Sequence, residues 1–327
     1  MDKPNIVVTF QAPPEIKALL QNLLGDAGNL IFLAELPPEQ RDKTLEHADV
    51  LLSWNLPREI SPQEYPYLRH VKLIQLVSAG ADHMPFAQLS EQTIIASNPG
   101  AYAVPMAEHV MAMTLALAKR VCIENQKLRN GEFDQSTPNR LLNGATVGIL
   151  GFGGIGQATA HLMRAFSMRI YAINSSGISP EPVDFIGTLR DLEQVLRASD
   201  VVVISLPLTK ETRGLIGKQQ LEWMKSDAIL INVARGAIID EEALYNHAKS
   251  HPNFLVGIDA WWTEPFMHGH FRMEYPFLDL PNVLGSPHNS GIVPGMMPRA
   301  MRQAAENIRS FLEGKPVRGV IRRESYL

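Results

Sequence analysis

The sequence predicts an α/β protein with two doubly wound parallel-sheet domains. Short apolar segments alternate with helical patterns along nearly the whole chain, and this alternation is typical of parallel sheets covered by helices. The chain has 327 residues, which is more than a single hydrophobic core usually supports. One long helical stretch separates two alternating series, so we expect one domain on each side of it.

The predicted elements follow this division. In the first series, the apolar segments bounded by Pro, Gly, Asn or Ser predict five strands, which are Ile6–Phe10, Leu30–Leu33, Val50–Leu52, Leu73–Leu76 and Thr93–Ala96. Apolar residues at helical spacing then predict one helix over about Val104–Arg129, and the polar stretch Asn130–Gly144 predicts a connection. The second series runs from Thr146 to about Ser286, and Met297–Gly314 predicts a last amphipathic helix.

Composition excludes several classes of protein. The hydrophobic content is 45%, the charged content is 20% and the net charge is −4, which gives no electrostatic reason to bind nucleic acid or an acidic membrane. The single cysteine, Cys122, excludes an intrachain disulfide and a cysteine-rich metal site, and we expect it to be a buried, inert thiol. The apolar runs Ile6–Phe10 and Val110–Ala118 are too short for a signal peptide or a membrane span. These observations predict a cytoplasmic protein without a metal.

The strongest local signal is a glycine-rich turn between a predicted strand and a predicted helix. The strand Thr146–Leu150 runs directly into Gly151-x-Gly153-x-x-Gly156, and the helix begins at once. The first glycine permits the tight turn, the second lets a diphosphate approach the backbone, and the third lets the helix pack against the strand. A glycine motif alone would indicate only a turn. Here strand, glycines and helix are in register, which favours a dinucleotide-binding site.

The segment after the next predicted strand bears on the choice of cofactor. The strand Met168–Ile173 ends at Asn174, followed by Ser175-Ser176-Gly177. NAD-specific sites usually carry Asp or Glu here to hold the ribose hydroxyls, whereas NADP sites carry Arg. Because neither is present, the sequence predicts a site that accepts NAD or NADP.

Three later strands end in polar residues of complementary chemistry. Arg235 follows the apolar run 229–234, Asp259 and Glu264 follow 255–258, and His288 follows 283–287. Ligands bind at the carboxyl ends of parallel strands. A guanidinium can hold a 2-keto acid carboxylate with two hydrogen bonds, an imidazole can donate a proton to the carbonyl, and a carboxylate can orient the imidazole. Each residue alone would more often be structural; together they predict a dehydrogenase site.

At these residues the chain resembles the D-isomer-specific 2-hydroxyacid dehydrogenase family, which includes glyoxylate/hydroxypyruvate reductases, D-lactate and D-3-phosphoglycerate dehydrogenases and formate dehydrogenase. The resemblance covers nearly the whole chain. It rests on several motifs in order, which are SAGADH (Ser78–His83), MAEHV (Met106–Val110), VGILGFGGIG (Val147–Gly156), LPLTKETRGLI (Leu206–Ile216), INVARGAIIDEEAL (Ile231–Leu244), DAWWTEP (Asp259–Pro265) and SPHNSG (Ser286–Gly291).

The resemblance implies a role for each candidate. Arg235 would bind the substrate carboxylate and polarise the carbonyl, His288 would be the acid/base, and Glu264 would be its partner. Asp259 would hold the nicotinamide carboxamide. Backbone groups of Ser78, Ala79 and Gly80 would also meet the substrate carboxylate. Cofactor contacts would come from Gly151, Gly153, Gly154, Ile155, Gly156, Asn174, Ser175, Pro207, Thr212, Val233, Asp259 and His288.

The resemblance also implies the architecture and assembly. A Rossmann cofactor domain, residues 101–291, would be inserted into a flavodoxin-like substrate domain formed by residues 1–100 and 292–327. Members of the family are commonly dimers through the cofactor domain, so we expect a homodimer. The sequence departs from the family at Gly154, where Arg or Asn is frequent, and at Asn174. The stretch Phe266–Leu280 is longer than usual, and we expect its His268, His270 and Arg272 to lie in a surface loop.

Two classes of function remain at this stage. The favoured one is a reductase of the glyoxylate/hydroxypyruvate type that uses NAD(P)H and a small 2-keto acid. Glu264 disfavours formate dehydrogenase, in which Gln stands there, and a short C-terminal segment disfavours the larger phosphoglycerate dehydrogenases. The alternative is an NAD(H)-sensing binding protein of the corepressor type, which keeps the same Arg, Glu and His but carries longer tails.

Overall fold

A computed structural model describes residues 3–326. The chain divides into two compact units, one formed by the described part of Met1–Tyr102 and Pro294–Leu327, the other by Ala103–Val293. Among the described residues, no helix combines the length and the apolar character needed to cross a membrane. The cytoplasmic location stays a prediction.

Each unit contains one parallel sheet. The first sheet has the order β2-β1-β3-β4-β5 and the second has the order β12-β11-β10-β9-β6-β7-β8. The strands are β1 Asn5–Val8, β2 Asn29–Phe32, β3 Val50–Ser53, β4 Leu73–Leu76, β5 Ile94–Ala96, β6 Thr146–Leu150, β7 Arg169–Ile173, β8 Phe185–Gly187, β9 Val201–Ile204, β10 Ile229–Asn232, β11 Leu255–Ile258 and β12 Val283–Gly285. The predicted fold class, two doubly wound parallel-sheet domains, is confirmed.

Helices cover both sheets. They are α1 Pro14–Leu24, α2 Pro38–Glu46, α3 Leu56–Glu59, α4 Ala103–Ala118, α5 Val121–Arg129, α6 Gly154–Ala165, α7 Leu192–Ala198, α8 Lys218–Trp223, α9 Glu241–Ser250, α10 Pro265–His268 and α11 Met296–Leu312. The amphipathic helix predicted over Met297–Gly314 is α11, and it packs against α1 in the first unit.

The first unit is held together by the apolar stripes of α1 and α11. Helix α1 buries Ile16, Leu20 and Leu24, which recur every four residues on one face. Helix α11 buries Ala300, Ala304 and Ile308 at the same spacing, together with neighbouring residues. Both stripes join strand residues such as Ile6 and Val8 in one core. The last part of the chain therefore completes the domain that the first part begins.

The second unit has a core on each face of its sheet. In β9, Val202 and Ile204 join the core under α7, α8 and α9, whereas Val201 and Val203 join the core under α4 and α6. Successive side chains of a strand point to opposite faces, so a strand covered on both sides is apolar throughout. This explains why the segments of the second series read as continuous apolar runs.

The single helix predicted over Val104–Arg129 is wrong, because the chain breaks between α4 and α5. Arg120 adopts a left-handed conformation with φ of +54°, which cannot continue a right-handed helix. The Ala118 carbonyl instead accepts a hydrogen bond from the Arg140 backbone N–H at 2.9 Å. Helix α5 buries none of its residues, so the expectation that Cys122 is buried is also wrong, and its thiol is exposed.

One histidine of the second unit is predicted to make the fold sensitive to acid. The ring of His247 in α9 stacks on His251 at 4.2 Å between centroids and meets Phe254 edge-on at 4.6 Å. Burial, together with the neighbouring His251, lowers the pKa of His247 from 6.5 to about 4. At pH values between the ordinary and the lowered pKa, His247 is protonated in the unfolded chain but neutral in the folded chain. The free energy of unfolding therefore falls as the pH falls.

We expect His247→Gln to reduce this loss, because glutamine does not titrate. The measurement is urea denaturation of wild type and variant at a series of pH values from neutral to about pH 4, the lowered pKa of His247. The control His161→Gln changes an exposed histidine of α6 and should keep the wild-type slope. Parallel pH dependence in wild type and His247→Gln would show that His247 does not contribute to acid sensitivity.

Candidate active site

The glycine-rich turn connects β6 to α6, and two of its glycines lie in close contact with neighbouring backbone. Gly151 has a φ of +101°, and a Cβ there would lie 2.6 Å from the backbone of Ser205. A Cβ on Gly156 would collide with the Gly151 carbonyl oxygen. The Ser205 hydroxyl donates to that same carbonyl at 2.7 Å. Side chains are excluded at both positions, so the turn holds α6 tightly against the ends of β6 and β9.

Gly153 differs from these two glycines, because a Cβ built on it meets nothing within 4 Å. It lies directly before Gly154, where α6 begins, and Ile155 follows in the first turn. The first backbone N–H groups of a helix have no partner within it and attract anions. Open space beside Gly153 at this helix end fits the diphosphate of a dinucleotide.

The side chain of Asn174 closes its own turn after β7. Its Oδ1 accepts hydrogen bonds from the backbone N–H groups of Ser176 at 3.0 Å and Gly177 at 2.7 Å, and its Nδ2 donates to the Ile178 carbonyl at 2.7 Å. The amide therefore shapes the loop that follows the strand. Ser175, beside it, is exposed.

Arg235 is positioned by a turn after β10. The buried Asn232 side chain accepts from the Ala234 N–H at 3.1 Å and donates to the Arg235 carbonyl at 2.9 Å. The next residue, Gly236, touches the chain after β11, since a Cβ there would lie 2.5 Å from both Trp261 O and Trp262 N. This approach brings the Arg235 turn against the segment that leads to Glu264.

Glu264 and His288 form a direct pair. His288 Nδ1 lies 2.7 Å from Glu264 Oε2 and 2.9 Å from Oε1. The side chain of Glu264 is 11% exposed and that of His288 is 31% exposed. Glu264 Oε1 also accepts from the Trp261 backbone N–H at 2.6 Å. An ionised carboxylate only accepts hydrogen bonds, so Nδ1 of His288 carries a hydrogen and Nε2 is the atom that can exchange a proton.

The backbone of His288 is strained, and the carboxylate of Asp259 accepts hydrogen bonds from residues before and after His288 in the chain. His288 has a φ of +50°, a region that residues with side chains rarely adopt. The carboxylate of Asp259 is fully buried. It accepts from the Ser286 hydroxyl at 2.6 Å, from the Asn289 N–H at 3.3 Å and from the Ser290 N–H at 3.4 Å.

The other predicted residues lie at several places. Thr212 donates its hydroxyl to the Pro207 carbonyl at 2.6 Å, and Val233 is fully buried directly after β10. Ser78, Ala79 and Gly80 belong to the first unit, in the segment after β4, where the Ser78 hydroxyl donates to the Gly80 carbonyl at 2.8 Å. The structure thus brings Arg235, Glu264, Asp259 and His288 to one edge of the second sheet.

The long segment 266–280 begins within α10 and buries Phe277, but the three residues that we expect at its surface are exposed. His268, His270 and Arg272 are all exposed. The loop is fastened beside the site, because Arg272 pairs with Thr263 in an antiparallel bridge and the Glu264 N–H donates to His268 Nδ1 at 3.1 Å. Phe271 meets Trp261 edge-on at 5.6 Å.

Several residues that shape this site were not found from the sequence. Asn232 and Ser286 are polar residues at strand ends, which is the signal that identified Arg235 and His288. His109 gives no such signal, because it lies within the apolar helix α4. Its Nε2 is 2.9 Å from the hydroxyl of Ser286.

Comparison with known proteins agrees with this geometry. Residues 111–290 match the family model described as D-isomer specific 2-hydroxyacid dehydrogenase, NAD binding domain. The chain is similar to the glyoxylate reductase of Aeropyrum pernix, with 30% identity over 99% of this chain and 97% of that protein. It is also similar to the crystal structure of a glyoxylate reductase from Paecilomyes thermophila, with 25% identity, a TM-score of 0.80, and 99% and 100% of the two chains covered.

A longer relative is the D-3-phosphoglycerate dehydrogenase of Methanocaldococcus jannaschii, with 29% identity over 91% of this chain. The chain spans only 56% of that protein's length. The family predicted from the sequence motifs is confirmed, and the matched part of the chain is the NAD-binding domain of that family.

Substitution of a glycine in close contact with backbone, Gly236, and of a glycine beside open space, Gly153, should affect stability differently. Gly236→Ala should lower the free energy of unfolding by about 1 to 3 kcal/mol, since its Cβ would press on rigid backbone atoms. Gly153→Ala is the matched control, because its Cβ enters open space, and its stability should stay within about 0.5 kcal/mol of wild type. Urea denaturation measures both. Equal stability of the two variants would contradict the close approach of Gly236 to Trp261.

Proposed function

We propose that this chain, which belongs to the D-isomer specific 2-hydroxyacid dehydrogenase family, is an NAD(P)-dependent oxidoreductase. Its substrates would be a small 2-keto acid and the corresponding D-2-hydroxy acid. The observation that carries the proposal is the pair formed by His288 Nδ1 and the Glu264 carboxylate, 2.7 Å apart, on the sheet edge that also carries Arg235. The unit Ala103–Val293 would be the cofactor domain, and the other unit would be the substrate domain.

His288 would supply the proton of the reduction. Its Nδ1 is occupied by Glu264, so Nε2 is left to donate to the carbonyl oxygen as that oxygen gains negative charge. The Glu264 carboxylate accepts from Nδ1 and so holds the ring in the orientation that this transfer needs. In the reverse direction the neutral ring would accept the hydroxyl proton at the same atom.

Arg235 would bind the substrate carboxylate. A guanidinium offers two parallel N–H groups to a carboxylate, and it also draws electrons from a neighbouring carbonyl. The carbonyl carbon would thereby become more electrophilic. The additional contact of Ser78, Ala79 and Gly80 with the substrate stays a prediction.

The cofactor would be held by the glycine turn and by Asp259. Gly153 leaves room for the diphosphate, and the buried carboxylate of Asp259 can accept a hydrogen bond from the nicotinamide carboxamide. When bound, the reduced nicotinamide supplies the hydride that the carbonyl carbon accepts. The remaining cofactor contacts, Gly151, Gly154, Ile155, Gly156, Pro207, Thr212 and Val233, are part of this proposal.

We favour a reductase of the glyoxylate/hydroxypyruvate type. The similar proteins named glyoxylate reductase match this chain over nearly their whole length. The alternative is an NAD(H)-sensing binding protein. It would bind the cofactor with the same residues and turn over no keto acid.

The test is the oxidation of NADH and NADPH, followed by absorbance, with glyoxylate, hydroxypyruvate, pyruvate and larger 2-keto acids. We expect turnover with at least one of them. His288→Ala should lower kcat by about a hundredfold or more, with little change in NADH affinity. The control His70→Ala changes an exposed histidine of the first unit and should leave kcat unchanged.

Two results would contradict this proposal. Tight NADH binding without turnover of any keto acid would favour the sensing protein. Turnover by His288→Ala close to that of wild type would remove His288 from the proton transfer.

The turn at Asn174 predicts a permissive cofactor site. Asn174 brings no charge to repel a 2′-phosphate, so kcat/KM with NADH and NADPH should agree within about tenfold, or about 1.4 kcal/mol. Asn174→Asp keeps an acceptor for the N–H groups of Ser176 and Gly177 but adds a negative charge, which should disfavour NADPH by repulsion.

Asn174→Ala is the matched control. It loses the amide donation to the Ile178 carbonyl, as the aspartate variant does, but adds no charge. It should therefore affect both cofactors alike. A wild type that prefers one cofactor by about a thousandfold, or about 4 kcal/mol, would contradict the permissive site.

We also propose a homodimer formed through α5 and the segment that follows it. Helix α5 buries no residue, and Leu128, Phe133 and Leu141 are more than half exposed. Light scattering should give twice the chain mass of 36.3 kDa, and Phe133→Asp should halve it. Val320→Asp changes an exposed apolar residue of the first unit and should stay dimeric. A monomeric wild type would contradict the proposal.

A further inference from the structure

We propose that His109 of α4 is a positioning residue, which acts through Ser286 on Asp259 and on the turn that carries His288. The inference rests on the proposed function, because it concerns the nicotinamide and proton-transfer site. His109 touches neither the cofactor nor the substrate in this account. It fixes the groups that do.

The hydrogen bonds between the three side chains have a defined direction. The carboxylate of Asp259 can only accept, so the hydroxyl of Ser286 donates its single proton to Oδ1 at 2.6 Å. The oxygen of Ser286 must then accept from His109, whose Nε2 is 2.9 Å away. His109 therefore carries a hydrogen on Nε2.

Asp259 depends on this arrangement because it is buried. Its side chain has no exposed surface, and the distance from His109 Nε2 to Asp259 Oδ1 is 3.6 Å. A buried carboxylate needs hydrogen bonds and nearby positive charge or dipoles. The backbone N–H groups of Asn289 and Ser290 supply only long contacts, at 3.3 and 3.4 Å. The short contact comes from Ser286, whose hydroxyl His109 orients.

The same carboxylate fixes the position of His288. Its donors Ser286, Asn289 and Ser290 lie before and after His288, whose φ is +50°. A left-handed residue with a side chain persists only where its surroundings hold it. A shift of Asp259 would therefore move both the acceptor proposed for the carboxamide and the ring that donates the proton.

Helix α4 is a rigid support for the imidazole. The neighbours Val110, Met111 and Met113 are buried in the core under the sheet, and α4 packs against α6, β10 and β11. The side chain of His109 is 24% exposed. Groups that orient a site are most effective when they stand on such packed elements.

The experiment compares His109→Phe with His109→Gln. Phenylalanine keeps a ring but cannot donate, whereas glutamine keeps an N–H donor at similar reach. Isothermal titration measures the binding of NADH and of ADP-ribose, which lacks the nicotinamide. We expect His109→Phe to weaken NADH binding by about tenfold and to lower kcat by about tenfold, as loss of one hydrogen bond to a charged network implies. ADP-ribose affinity should stay within about twofold of wild type, a small change on this scale. His109→Gln should recover most of both losses.

Ser286→Ala gives a second route if His109→Phe does not fold. It breaks the same link by removing one oxygen and should show the same contrast between NADH and ADP-ribose. Adding His109→Phe to Ser286→Ala should cause little further loss, because both changes break one path.

The outcomes separate the two proposals. Equal weakening of NADH and ADP-ribose, a glutamine variant as defective as phenylalanine, or fully additive effects would overturn the role of His109 in an active enzyme. A wild type that binds ADP-ribose and NADH equally and reduces no keto acid would overturn the proposed function and this inference with it.

Discussion

All strands of the second sheet run in the same direction, and this constraint positions the candidate site. The neighbours β12, β11, β10, β9 and β6 all end at one edge. That edge receives His288 after β12, Asp259 after β11, Arg235 after β10 and the glycine turn after β6. Parallel strands deliver their carboxyl ends to one place regardless of their distance in the sequence. The guanidinium of Arg235, the carboxylate of Asp259, the imidazole of His288 and the glycine turn therefore lie at the same edge.

Close contacts between the loops keep this edge rigid. Gly151 lies against Ser205, Gly236 lies against Trp261 and Trp262, and Gly285 lies against the indole of Trp261. Trp261 also donates its indole N–H to the Ser286 carbonyl at 2.8 Å. The loops touch one another at glycines where a Cβ would collide with a neighbouring loop. The pair of Glu264 and His288 is thus supported by several loops of this edge rather than by one strand.

Strands and candidate residues were predictable because both depend on local pattern. Apolar runs identified the strands, and polar residues after those runs identified Arg235, Asp259 and His288. The helix break was missed since the apolar spacing continues through Val121 and the left-handed residue, Arg120, is not glycine. His109 was missed because its partner Ser286 is 177 residues away in sequence. The cofactor contact of Asn174 stays a prediction, but the use of its amide to shape its own loop was not foreseen.

In the proposed function, His288, Glu264 and Arg235 would serve a transfer of hydride between the nicotinamide and C2 of a 2-keto acid. The most direct test uses NADH or NADPH that carries deuterium in place of both hydrogens at C4. A 2-keto acid with a chiral product, such as hydroxypyruvate, is turned over, and the product is examined by mass spectrometry and chiral chromatography. We expect a D-2-hydroxy acid with one deuterium on C2. An unlabelled product, an L product, or no reduced product with any 2-keto acid would contradict it.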